Sequence, residues 1–517
     1  MKKILLFLIL FVCSINFASA QKIVKGTVSD NLEPLIGATV QIKGTGIGVA
    51  TDLDGLYSIE VPNNETVLLF SYIGLETQEI IVGTQTKIDV VLIENTSVLD
   101  EIIVVGYGTQ KRSNISGSVG VVTAEEITET PVLRVEQALQ GRTAGVQIAQ
   151  NSGSPGSALT VRIRGIGTIN NSDPLYIVDG VPVGGIDYLN PNDIESVNVL
   201  KDAASAAIYG ARGANGVVLI TTKGGKRDQE GQITYDSYYG VQSPWKTINL
   251  MNAKEYAILS NEARINSGLA PLPEFSNPTA LGEGTDWLGA IFQNAPMTSH
   301  QIGMTGGSAK SAYALSANYF SQDGIVGGEK ANFERMTVRF NANTDIKSWL
   351  KVGNNISFTN ITRQFLPENN EFTTPLVRAM NMDPVTPIYK SDGTYAYSRY
   401  ADTDIVNPLN AIDQTHSTWN SNRLVGSVYG EAQIMEGLSF KSTYSMDATF
   451  AAQNTFYPRF DLSNDPTLGD APAGERSLIN SVAIGNNIWT NWQWENLATY
   501  NKTSGDHVIV ANLGSTV

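Results

Sequence analysis

Three histidines, one cysteine and a few glycine- or aspartate-rich turns are the residues here whose types could do chemistry. His300, His416 and His507 lie far apart, without the paired Asp/His/Cys spacing of a zinc site or of a nucleophile and its base. His416, near Asp413 and Trp419, reads as a surface residue in a long loop. Carboxylates are plentiful, but no pair stands out as a general acid and base. Gly224-Gly225-Lys226 lacks the upstream glycine and the following Ser/Thr of a phosphate-binding loop, and Gly44, Gly46 and Gly48 miss the dinucleotide spacing. Asp52-Leu53-Asp54-Gly55 opens like a calcium loop, yet the later ligands and closing Glu are missing, so it reads as a turn. The expectation is a chain with no catalytic centre, no cofactor and no metal: not an enzyme.

The elements that position the remaining residues begin after an export signal. Lys2 and Lys3 precede an apolar run, Ile4 to Val12, too short to span a bilayer, and Ala18-Ser19-Ala20 offers a cleavage site before Gln21. Val12 before Cys13 argues against lipidation. Cys13 is the single cysteine and leaves with the signal, so no disulfide is expected in an oxidising compartment. Loss of Lys2 and Lys3 takes Lys+Arg from 35 to 33 against Asp+Glu 50, and the formal charge from −15 to −17. That balance argues against a nucleic-acid partner. Charged residues make up 16% of the chain, below the roughly 25% of soluble domains, and no later apolar run would make a transmembrane helix.

Residues 21–97 read as short strands (Val24–Val28, Ala38–Lys43, Tyr57–Val61, Val67–Tyr72, Gln78–Val82 and Lys87–Leu92) broken by turn residues, a β-sandwich. Residues 113–226 mix helical spacing over Pro131 to Arg142 with strands at Val146–Ala149, Leu159–Ile163, Leu175–Val178, Ser196–Leu200 and Val217–Thr221, and a short helix at Ala203–Tyr209. That is an α+β domain. From 227 to 517 the chain alternates over segments of about ten residues or more, the length that crosses a bilayer as a tilted strand. Tyr313, Leu315, Ala317 and Tyr319 share one face against Ala314, Ser316 and Asn318, and Met336, Val338 and Phe340 oppose Thr337, Arg339 and Asn341. Tyr313, Tyr319, Trp349, Trp492 and Trp494 near segment ends suggest interfacial girdles. Short turns at 306–310 and 346–348 against a long connection at 364–422 fit a membrane barrel better than a soluble sandwich. The fold expected is mainly β: an N-terminal sandwich, an α+β domain and an incomplete transmembrane antiparallel barrel.

Between the first two regions, Leu99-Asp100-Glu101-Ile102-Ile103-Val104-Val105-Gly106 is a β-prone run followed by a polar tether, Thr109-Gln110-Lys111-Arg112. An unpaired extended strand of this kind can add to the edge of a partner's sheet. Gly210, Gly213 and Gly216 would allow positive φ and close approach around Tyr209 and Arg212.

Several stretches carry a family resemblance. "VKGTVSDNLEPLIGATVQIKGTGIGVATDLDGLYSIEV" resembles the carboxypeptidase-regulatory-like domain, a non-catalytic sandwich. The Leu99–Gly106 run resembles the TonB box of SusC/RagA-type TonB-linked outer-membrane transporters. "LTVRIRGIGTINNSDPLYIVDGVPV" and "DIESVNVLKDAASAAIYGARGANGVVLITTKGGK" are similar to that family's plug. The resemblance implies plug-motif roles for Arg162, Arg164, Gly165, Asp179, Gly180, Lys201, Asp202, Tyr209, Gly210, Arg212, Gly213 and Gly216. It also implies TonB with its ExbB/ExbD motor, a SusD-like surface lipoprotein, the barrel-assembly machinery and outer-membrane lipid as partners, and a glycan or peptide as substrate. Residues 98–112 would be the TonB box and tether. Family members are about twice this length, with barrels of about 22 strands; only about nine strands are countable here, and the last residues, Leu513-Gly514-Ser515-Thr516-Val517, lack a terminal aromatic. The chain is therefore expected to be a fragment that transports nothing alone.

Overall fold

The computed structural model describes residues 22–30, 33–45, 47–72, 75–93, 102–105, 108–111, 118–129, 132–370, 373–400, 405–462, 476–504 and 507–517. The signal segment 1–20, Leu99, Asp100, Glu101 and Gly106 lie outside them. The chain forms two compact units, one up to Ser116 and one from Gly117.

In the first unit, β1 (Lys22–Ser29), β2 (Thr39–Ile42), β3 (Gly48–Ala50), β4 (Leu56–Val61), β5 (Val67–Ser71), β6 (Gln78–Ile81) and β7 (Val90–Val91) make two sheets, β4-β1-β7 and β3-β2-β5-β6. Alternate residues point between the sheets, so Val24, Val28, Val40, Ile59, Leu68 and Phe70 form one apolar core. Gly26 is required there: a Cβ would stand 1.8 Å from the Ile88 carbonyl oxygen. Asp52 closes its turn by accepting from the amides of Asp54 (3.0 Å) and Leu56 (2.8 Å), the turn expected from its sequence. β8 (Ile102–Val105) and β9 (Gly108–Lys111) follow as a separate two-stranded hairpin.

The second unit begins with a five-stranded sheet in the order β10-β15-β16-β13-β14. Its strands are β10 (Val119–Thr123), β13 (Leu175–Val178), β14 (Val181–Val183), β15 (Ile194–Leu200) and β16 (Val217–Thr222), with a side hairpin of β11 (Val146–Gln150) and β12 (Leu159–Ile163). The expected helix over 131–142 shrinks to Val135–Ala138, although Val135, Ala138 and Leu139 are buried as its spacing required. The helix at Ala203–Ala206 continues as a 3-10 turn, Ala207–Gly213, kinked at Gly210.

Around this domain curves a nine-stranded antiparallel meander: β17 (Gln232–Gln242), β18 (Ala295–Gly307), β19 (Ser311–Gly324), β20 (Gly328–Lys347), β21 (Leu350–Gln364), β22 (His416–Met435), β23 (Leu438–Tyr457), β26 (Ser481–Ser504) and β27 (His507–Thr516). A small hairpin, β24 (Phe460–Asp461) with β25 (Arg476–Ser477), lies in the connection before β26. The meander inverts the soluble pattern. Ser316, Asn318, Thr337, Arg339, Ser357, Thr359, Ser445 and Asp447 are buried on the inner face, while Leu315, Tyr319, Met336, Phe340, Ile356 and Phe358 are exposed on the outer one. Polar-in and apolar-out alternation is what a strand needs when lipid is its outer solvent.

Two sequence expectations are corrected. The strands run well past the length a bilayer needs, so Trp492 and Trp494 lie mid-strand in β26, not near a segment end. His416 opens β22 with its Nδ1 3.3 Å from Lys330 Nζ, so the long connection is 365–415 and His416 is not a loop residue. The other long connection, 243–294, packs with it: Trp287, Leu288, Met382 and Ile412 share a core, and Trp287 Nε1 donates to the Asp383 carbonyl at 2.8 Å.

Candidate functional site: a hairpin and a plug held in the wall

The run predicted to be an unpaired strand is half of a hairpin. Ile102–Val105 pairs with Gly108–Lys111, so Thr109, Gln110 and Lys111 are a return strand and not a free tether. Among the described residues the hairpin joins neither sheet of the sandwich. A lone two-stranded hairpin is marginally stable and leaves an outer edge of unpaired amides and carbonyls on each strand.

The plug-motif residues fall into three groups. Arg162, on β12, pairs with Asp173, and Arg164 and Gly165 follow at φ +57° and +90°, turning the chain out of the strand. Asp179 (φ +48°) and Gly180 (φ +85°) form the tight turn between β13 and β14, the Asp-Gly pair that a two-residue hairpin with both φ positive favours. Lys201, Asp202, Tyr209, Gly210, Arg212, Gly213 and Gly216 make the link from β15 to β16. Asp202 caps the helix by accepting from Ser205 N at 2.8 Å, and its other oxygen accepts from Ser118 N at 2.6 Å. Those amides, the Ser205 N–H foremost, hold its carboxyl below the usual range. Lys201 Nζ donates to the Ala144 carbonyl at 3.1 Å. Gly210 (φ +60°) and Gly216 (φ +88°) need a glycine backbone. Gly213 does not, but its Cβ would stand 2.9 Å from the Ala206 carbonyl oxygen. Tyr209 packs on the small core of Leu200 and Val217. Arg212 faces a cavity of about 290 Å³ between the plug and the inner ends of Asp447 and Gln493.

Of these residues, Asp179 belongs to the contact that holds the plug in the wall. Its carboxylate accepts from Thr222 N (2.9 Å) and from the Thr222 hydroxyl. Arg339 of β20 donates to Thr222 Oγ1 and to the Lys223 carbonyl, both at 2.6 Å. Burial pushes the Asp179 carboxyl up against the lowering effect of those hydrogen bonds. Two further plug aspartates meet wall arginines. Arg423 of β22 is bidentate to Asp447 (2.9 and 2.9 Å), reaches Asp187 Oδ1 at 3.0 Å and lies 4.6 Å over the Tyr188 ring. Asp193 accepts from Gln301 Nε2 at 2.9 Å, with Arg339 Nε 3.9 Å away. Arg335 Nη1 donates to the Asp187 carbonyl at 2.8 Å.

Sequence reasoning places Arg339 only on the polar face of its strand, Asp193 and Thr222 only within the plug-like stretch, and Asp187, Arg335 and Arg423 not at all. The available signal was charge at inward positions of a transmembrane strand, where an ion is costly unless partnered.

The comparisons agree with this geometry. Residues 111–217 match the TonB-dependent Receptor Plug Domain model, and residues 24–104 match the CarboxypepD_reg-like domain model, whose match ends inside the hairpin. The chain is 36% identical over 95% of its length to TonB-dependent receptor P26 of Formosa agariphila, covering 48% of that protein. It is 32% identical over 83% of its length to TonB-dependent receptor SusC of Bacteroides thetaiotaomicron, covering 44% of it. A structure of the RagAB peptide importer in an open-open state superposes with a TM-score of 0.68 at 28% identity, covering 80% of this chain and 48% of that one. The chain thus spans about half the length of the relatives it matches. With a carboxypeptidase-regulatory-like sandwich, a plug and a polar-lined antiparallel wall in this order, it belongs to the SusC/RagA type of TonB-dependent receptors.

Proposed function

We propose that this chain is the coupling and gating part of a receptor that imports a nutrient, oligosaccharide or peptide, across the outer membrane, driven by TonB. The observation that carries the reading is the plug itself. It fills a wall whose inner face is polar, and hydrogen bonds and ion pairs hold it there, with apolar contact at Val425 and at Leu133 against Phe320 and Phe333. A purely structural plug would be expected to use apolar packing, whereas polar contacts can be exchanged for water when the plug is pulled.

On this reading, Leu99 to Gly106 is the TonB box. TonB, energised through ExbB and ExbD, would add a strand to the hairpin edge or replace its return strand, so that main-chain hydrogen bonds carry the load. A SusD-like lipoprotein would cover the long connections and deliver substrate. The N-terminal signal would direct export, and the sandwich would sit in the periplasm. The test is deletion of 99–106 from the complete receptor. Uptake should be abolished while ligand binding at the cell surface stays at the wild-type level; unchanged uptake would refute the coupling role.

A further inference from the structure

Arg335 is placed where an import reading alone does not require it. It is buried (3% exposed) on the inner face of β20, and its Nε has no partner although Nη1 is engaged with the Asp187 carbonyl. It lines two adjoining cavities of about 220 and 400 Å³ between plug and wall. The smaller lies at the end of the wall that carries the long connections, since it reaches Gln242 and Ser243 at the close of β17 and Ile325 after β19. Among the described residues its lining includes a second cation, Arg134, the amides Gln137, Gln150 and Gln322, and no carboxylate. That is unexpected in a chain with 50 acidic against 35 basic residues.

The acidic groups near Arg335 are mostly committed elsewhere. Asp187 is held by Arg423, and Asp193 by Gln301 with Arg339 beside it. Glu136 remains, buried, with an Oε2 that has no partner. Burial pushes its carboxyl up, toward the neutral form, although Arg134 and Arg335 act to lower it. Arg134 donates to the Ser157 carbonyl at 3.0 Å, which holds it at the cavity rim. Phe320 and Phe333 form an apolar floor, with the Arg335 guanidinium 5.8 Å over Phe320. Two guanidiniums, several amide donors and an apolar floor in a space sized for one monomer unit are the components of an oxyanion site.

We infer that this cavity is a subsite for an anionic group, the carboxylate of one unit of an acidic oligosaccharide or acidic peptide, held by Arg134 and Arg335. The inference rests on the import reading for its ligand class and narrows that class to charged substrates. The test uses the complete receptor in detergent, without TonB, so that a failure of coupling cannot imitate a failure of the subsite. Binding of tetragalacturonate is compared with its neutral methyl ester, and of tetra-aspartate with tetra-asparagine. At least one acidic ligand should bind ten or more times as tightly as its neutral partner, and which one does so identifies the source of the anion. Arg134→Gln should lose that preference about tenfold, and Arg335→Lys should retain more of it than Arg335→Gln. Equal binding of acidic and neutral ligands, binding of neither acid, or an unchanged preference in Arg134→Gln would overturn the assignment. Tight binding of the acidic ligand by the wild-type receptor without its uptake by intact cells that carry TonB would count against the import reading and leave the subsite standing.

Discussion

Arg423 stands between the carboxylates of Asp187 and Asp447, one from the plug and one from the wall, and covers the Tyr188 ring. Removing one partner of a buried pair leaves the other charges uncompensated, a cost of about 3–5 kcal/mol. Arg423→Leu should therefore loosen the plug more than truncation of a half-buried arginine such as Arg142, whose partner Glu129 is in water. Faster proteolysis of the 118–226 segment in the folded receptor would show it. Glu136 gives a pH-dependent counterpart. Its folded carboxyl lies above the ordinary glutamic acid value because of burial. Its contribution is thus fully present below that ordinary value and is lost as pH rises through the folded one. Glu136→Gln should raise the thermal midpoint at pH 7 to 8 and leave it nearly unchanged near pH 4. A midpoint that falls at neutral pH would mean that the ionised carboxylate is needed by its arginine neighbours.

At the scale of elements, β10 is the edge strand through which a pull from the hairpin region would enter the plug. Among the described residues it pairs only with β15, from Val119 opposite Leu200 to Thr123 opposite Ser196, and Asp202 secures its start through Ser118 N. A load applied at its first residue opens ladder bonds one after another, not all together. A cross-strand disulfide from Val121→Cys and Asn198→Cys, directly opposed in register, should block uptake when oxidised and restore it on reduction, with no change in ligand binding. β10 was itself hard to read in the sequence. Val119-Gly120-Val121-Val122-Thr123 is short and interrupted by glycine, and it makes sense as a strand only beside β15, eighty residues later. Strands with their own clear pattern, such as Leu159–Ile163 and Leu175–Val178, were legible to the residue. Helical spacing over 131–142 marked buried positions correctly but overstated length, because Gly141 at φ +74° and the packing of Leu139 end the helix early. The hairpin partner of Ile102–Val105 was missed for a related reason: Gly108-Thr109-Gln110-Lys111 is polar and has weak β propensity, so only the pairing makes it a strand.

For the whole molecule, alternation, the unequal turn lengths and the neighbouring plug-like stretch together made the wall legible, with a face of Ser, Thr, Asn and Arg opposite one of Leu, Phe, Met and Tyr. The plug-to-wall contact was not legible, because Asp187 and Arg423, or Asp193 and Gln301, are more than a hundred residues apart and no local pattern joins them. The central claim is that the stretch around residue 100 is a handle for TonB, working on a plug held by exchangeable polar contacts. Hydrogen exchange on the complete receptor, with and without the periplasmic domain of TonB, tests it most directly. The account predicts new protection of the amides from Leu99 to Gly106 on TonB binding, with no new protection in the β1–β7 sandwich. No complex, or protection confined to the sandwich while 99–106 exchanges unchanged, would contradict it.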